Sequence, residues 1–226
     1  MRNLLFAGVA AVALVTGFAA PSRADLILTI ADGADVETIT GSGGVASFSS
    51  LFPPDALAGF SIVSAMGLSK PILGSSIFPA LDLNMDVVST SGGTPTFTLS
   101  DTDFTGGAGD IIFNNSVGGT FLRGGSLGVQ SFMDCGNVEN GQGTSLTSQT
   151  FSGSSFSGGK SADVGKCSGP YSLTEIATLT LPEESQFSGD ASLAVPEPST
   201  IALFGAGLFG LGYFLRRKKN AGAAAA

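Results

Sequence analysis

Three carboxylates, Asp101, Asp103 and Asp110, flank the stretch Gly106-Gly107-Ala108-Gly109. A hard cation such as Ca²⁺ needs several oxygen ligands on a bent backbone, and Asp-x-Asp beside glycines supplies them. The spacing lacks the twelve-residue EF-hand loop with its closing Glu, and Asp and Gly are also the residues of any strand-to-turn junction. Calcium ligation and an ordinary turn are thus two readings of the same residues; no other cofactor is expected. Asp82 and Asp86 are four apart, which on a strand puts them on one face, as in a glycosidase carboxylate pair. A sugar site also wants aromatic platforms, and the chain has no Trp and 2 Tyr. Solvent-facing strand carboxylates are the simpler reading.

The chain has no His. That excludes His-dependent triads, zincin sites and facial triads. The serines lie in Gly-rich loops with no Gly-x-Ser-x-Gly elbow. Asn114-Asn115-Ser116 is formally a glycosylation sequon, a short pattern that by itself carries no function. Cys135 and Cys167 are the only cysteines; a catalytic thiol would lack its base, whereas an even pair reads as a disulfide if the chain is exported. Such a bridge would pin Asn140-Gly141-Gln142-Gly143 and Gly158-Gly159-Lys160, both poor in core residues. No catalytic residue emerges, and the chain is expected not to be an enzyme.

The elements that must position these residues are short β-prone runs separated by Gly, Ser, Asn and Pro. They are expected at Leu26–Ile30, Val36–Thr40, Val45–Phe48, Phe60–Met66, Leu81–Thr90, Thr96–Ser100, Ile111–Phe113, Gly119–Arg123, Gly128–Met133, Gln149–Phe156 and Tyr171–Leu181. Thr96-Phe97-Thr98-Leu99-Ser100 alternates cleanly; in the last run Tyr171, Leu173, Ala177, Leu179 and Leu181 share one phase. No window has a sustained helical period. The expected fold is all-β, a two-sheet β-sandwich, with a single barrel as its competitor.

The two ends read differently from this body. Arg2, the apolar run Leu4–Ala20 and Pro21-Ser22-Arg23-Ala24 fit a secretory signal peptide over residues 1–24, with a retained anchor as the alternative. After Ala194 come Val195-Pro196-Glu197-Pro198-Ser199-Thr200, the apolar run Ile201–Leu215 and then Arg216-Arg217-Lys218-Lys219. At about 1.5 Å per residue that run gives about 22 Å of helix, a tight span that Ser199, Thr200 and snorkelling cations extend. The expected transmembrane helix is 199–215, with the four cations on the cytoplasmic side. Ala206 and Gly210 form a small-xxx-small pair suited to packing against another membrane helix. Most of the 10 Lys and Arg lie in these ends, leaving Lys70, Arg123, Lys160 and Lys166 in the body, whereas of the 18 acids only Glu197 lies outside it. The body, residues 25–194, is therefore strongly acidic, soluble and unsuited to nucleic acid.

Val195-Pro196-Glu197-Pro198-Ser199, a glycine-bearing apolar segment and a terminal basic cluster closely resemble the PEP-CTERM sorting signal of Gram-negative bacteria, here residues 195–226. A similar tail is sometimes labelled an ice-binding protein C-terminal domain, a label that says nothing about ice. The resemblance implies recognition and removal of the tail by exosortase, a membrane-embedded sorting protease. It implies an inner-membrane intermediate, then release to the cell surface or an extracellular matrix with polysaccharide as a partner. Leu81-Asp82-Leu83 and Ser100-Asp101-Thr102-Asp103-Phe104 also look like the N-terminal halves of other PEP-CTERM proteins, which implies no activity. The specific role is expected to be structural or adhesive; Ca²⁺-dependent polysaccharide binding is the alternative.

Overall fold

In the computed structural model, which describes residues 26–50, 57, 59–106 and 110–196, the alternating runs become strands and no helix forms among the described residues. The strands are β1 Ile27–Asp32, β2 Asp35–Thr40, β3 Val45–Ser50, β4 Phe60–Leu68, β5 Ala80–Ser89 and β6 Thr96–Phe104. They continue with β7 Ile111–Leu122, β8 Ser126–Asp134, β9 Thr144–Ser152, β10 Ser155–Val164, β11 Tyr171–Thr180 and β12 Gln186–Ala194. Two antiparallel sheets result, in the orders β2-β1-β6-β11-β8-β9 and β10-β7-β12-β5-β4-β3.

Period-two patterning explains how they pack. On β5, Leu81, Leu83, Met85 and Val87 are buried while Asp82, Asn84 and Asp86 alternate outward. Phe97 and Leu99 of β6 and Leu173, Ala177 and Leu179 of β11 face them from the other sheet, and all belong to one apolar core. The chain passes between sheets at one side through β2 and β3 and at the other through β9 and β10. At the second corner Gly153 takes φ 104°, a conformation that L side chains disfavour, and Phe151 stacks on Phe156 at 4.9 Å.

Three expectations are corrected. The run Gln149–Phe156 is not one strand: the Gly153 corner splits it between β9 and β10, in different sheets. Ile111–Phe113 and Gly119–Arg123, except Arg123 itself, are parts of a single β7, because Asn114, Asn115 and Ser116 pair with β12 and β10 instead of turning. β12 was not expected at all, yet it is paired on both sides, with β5 and β7. The expected signal helix (1–24) and transmembrane helix (199–215) lie outside the described residues.

Cys135, just after β8, and Cys167, just before β11, are disulfide-bonded with their Cα atoms 5.3 Å apart. The bridge staples the ends of neighbouring strands and encloses the excursion through β9 and β10. The following loop, 136–143, lies over the outer face of β6 and β11. Asn140 N donates to Ser100 Oγ at 2.9 Å, Ser172 Oγ donates to Val138 O at 2.6 Å, and Asn137 and Asp103 bond reciprocally. This cover is why Ser100, Thr102, Ser172 and Thr174 are buried on what would be a solvent face. Gly158, Gly159 and Lys160, by contrast, sit in β10 and are held by pairing with β7, not pinned as a loop. For a bridge spanning 32 residues the chain-entropy model gives about 3–4 kcal/mol. The Cys135→Ser/Cys167→Ser double variant should lose that much in urea unfolding, with early proteolysis in 136–143.

Candidate functional site

The three carboxylates proposed as calcium ligands are separated by the fold. Asp101 is fully buried: its Oδ2 accepts from Ser69 Oγ at 2.5 Å and Lys70 Nζ at 3.0 Å, and its Oδ1 accepts from Thr102 N at 2.8 Å. Lys70 Nζ also donates to Thr102 O and lies 3.8 Å from the Phe104 ring centroid. Asp103 is occupied by Asn137, and Asp110 is exposed at the base of β7. The cause is local: Asp103 takes φ 60°, and opposite it the β11 register shifts between Tyr171 and Leu173. Regular alternation would have put Asp101 and Asp103 on one face; the irregularity sends one into an ion pair and the other under the 136–143 loop. Among the described residues no three acidic or thiol side chains group as a cation site. The sequence reading missed Lys70, which sits before Pro71 in a connection and carries no pattern of its own.

Asp82 and Asp86 do share a face, the outer face of the second sheet, opposite Ser192 and Ser188 of β12. Asn84 Nδ2 donates to Asp82 Oδ2 at 2.8 Å. Partial burial raises the Asp82 pKa; the Asn84 bond opposes this, and the negative charge of Asp190 adds to it. Beside Asp86 runs a shallow groove of about 190 Å³ bordered by Val88, Thr120, Leu122 and Gln186.

Glu175 is the second group the sequence reading passed over. It falls on the core phase of β11 and is fully buried between the sheets. Asn115 of β7 donates from Nδ2 to Glu175 Oε1 at 2.5 Å, and Gln149 of β9 donates to Asn115 Oδ1 at 2.7 Å. Glu175 Oε2 has no partner among the described residues. Burial pushes the Glu175 pKa up to about 8; the Asn115 bond opposes the rise, and the charges of Asp82 and Asp190 add to it. The carboxyl is thus protonated at neutral pH, which removes the cost of an unpaired charge in the core.

The remaining site is where the chain leaves the sandwich. β12 ends at Ala194 between Ala80 and Asn114, and Val195 N donates to Pro79 O at 3.0 Å. Of the expected sorting residues, Val195 and Pro196 are described; Glu197, Pro198, Ser199 and the cluster Arg216, Arg217, Lys218 and Lys219 lie outside the described residues.

Fold and exit together define an all-β, disulfide-stapled body with a sorting segment attached directly to its last strand. Residues 194–219 match the PEP-CTERM protein-sorting motif, so the chain carries a PEP-CTERM tail, which indicates an exported protein sorted through exosortase. No curated protein matches the chain. Among solved structures, the enzymatically active domain of tailspike protein 4 from bacteriophage CBA120 is 10% identical with a TM-score of 0.24, over 73% of this chain and 18% of that one. The infectious bursal disease virus Gx strain structure is 9% identical with a TM-score of 0.27, over 87% of this chain and 54% of that one. The chain therefore spans about a fifth and about half of those chains, and likenesses this loose define neither fold nor activity.

Proposed function

We propose that this is a non-catalytic structural or adhesive protein of the Gram-negative cell surface or extracellular matrix. A signal peptide carries it across the inner membrane, the segment 199–215 holds it there, and exosortase cuts within Val195–Thr200. The observation that carries this reading is the abutment of the sorting motif, residues 194–219, on the last residue of β12. Cleavage just beyond Val195 would release a complete sandwich with no strand lost. Pro196 and Pro198 cannot donate ladder hydrogen bonds and each favours an extended residue before it, the conformation that a protease requires. Mass spectrometry of the protein recovered outside the cell tests it. A C-terminus between Val195 and Thr200 is expected; an intact tail through Ala226 would instead mean permanent anchoring.

A further inference from the structure

The exit end of the sandwich exposes several large apolar side chains, and also carries the exposed acids Asp110, Glu139 and Asp163. Of the eight large apolar side chains exposed among the described residues, Ile72, Ile77, Phe78, Ile112 and Val138 lie at this end, with Ile72 61% and Ile77 56% exposed. Three of them are on the β4–β5 connection, whose segment Pro71 to Pro79 has no charged residue. The connection is a preformed platform. Leu73 N donates to Ser69 O, Ser75 N to Phe78 O, and Phe78 N to Ser75 Oγ. Its base is fixed by the buried Lys70–Asp101 pair, and Ser76 O accepts from Thr105 N. Its last residue, Pro79, holds Val195 directly.

Chain length then sets the distance to the bilayer. From Pro196 to Ser199, where the expected span begins, the backbone reaches at most about 10 Å at roughly 3.3–3.6 Å per residue. While the tail is attached, the loop bonded to Val195 is therefore held at the headgroup layer. Apolar groups held there bury their surface in lipid.

We propose that the loop 71–79, through Ile72, Ile77 and Phe78, is a lipid-binding seat that rests the sandwich on the membrane until the tail is cut. This rests on the anchored intermediate of the proposed function and adds to it an orientation: loop down, with the strip 195–200 at the bilayer surface. Because the body is acidic, the contact is apolar and fits zwitterionic lipid better than anionic lipid.

The lack of Trp makes the test direct. Full-length Phe78→Trp and, at the opposite end, Leu122→Trp are each reconstituted into phosphatidylcholine vesicles with brominated acyl chains. Flotation and Trp quenching are then read on the same sample. Severalfold stronger quenching in Phe78→Trp than in Leu122→Trp is expected. Equal quenching in chains that float overturns the seat but not the anchor; chains that do not float overturn the anchor and the seat with it. Ile72→Trp, at the more exposed position, repeats the measurement should Phe78→Trp misfold.

Discussion

Replacing Lys70 with Met should destabilise the sandwich by about 3–5 kcal/mol, because it leaves the Asp101 carboxylate buried without its counter-ion. The remaining donors, Ser69 Oγ and Thr102 N, are neutral and cannot replace an ammonium. The double variant Lys70→Met/Asp101→Leu should recover part of the loss, the remainder being the hydrogen bonds that Thr102 N and Thr102 O made to the two side chains. Ser69 Oγ then donates to Ala80 O, already 3.1 Å away, so no hydroxyl is stranded. Arg123→Ala is the contrast. The Arg123–Glu184 pair is closer, at 2.5 Å against 3.0 Å, but its side chains are 60% and 74% exposed, so its loss should cost no more than about 1 kcal/mol. Urea unfolding of the four proteins gives the comparison. A double variant no more stable than Lys70→Met would mean that the cost is lost packing on Phe104 and lost hydrogen bonds at Thr102, not the unpaired charge. Limited proteolysis of Lys70→Met should also cut within 71–79, since the pair fixes that loop at its base.

The sandwich was legible where strands keep a dominant two-residue period. β5, β6, β8 and β11 carry most of their large apolar residues on one phase and mainly hydroxyls, carboxylates or amides on the other, with Val88, Phe132 and Ile176 as exceptions. β12 was not, because its middle is Gly189-Asp190-Ala191, which looks like a turn. Gly189 is there for space: a Cβ would stand 2.6 Å from Gly118 O on the neighbouring strand. β7 was broken in the reading by Asn114-Asn115-Ser116, turn chemistry on its face, whereas Asn115 points inward to meet Glu175. The disulfide needed only two cysteines and an export signal. The buried charges were hidden for opposite reasons. Lys70 and Asp101 come together from a connection and a distant strand, and no local pattern reports such a meeting. Glu175, in contrast, lies on the same phase as Tyr171, Leu173 and Ala177, so a carboxyl in a core stripe was visible in the sequence.

That carboxyl should make stability depend on pH in the direction opposite to most carboxylates. Glu175 has an ordinary pKa of 4.5 when the chain is unfolded and about 8 in the fold. Between these values the folded protein holds a proton that the unfolded chain has released, so raising the pH favours unfolding. Its contribution is fully present below pH 4.5, falls by about 1.4 kcal/mol per pH unit above that, and is gone once pH passes about 8. Asp82, also raised, adds a slope of the same sign, so the Glu175 share must be isolated by difference. Glu175→Gln does this: its amide oxygen still accepts from Asn115, its amide nitrogen stands where the protonated oxygen was, and it does not titrate. Urea unfolding of both proteins from pH 5 to pH 9 should show the wild type losing stability relative to the variant, with the gap levelling off above about pH 8. Parallel curves would mean that the folded carboxyl ionises as readily as the unfolded one. In that case the Asn115–Gln149 bridge between the sheets would be holding a carboxylate.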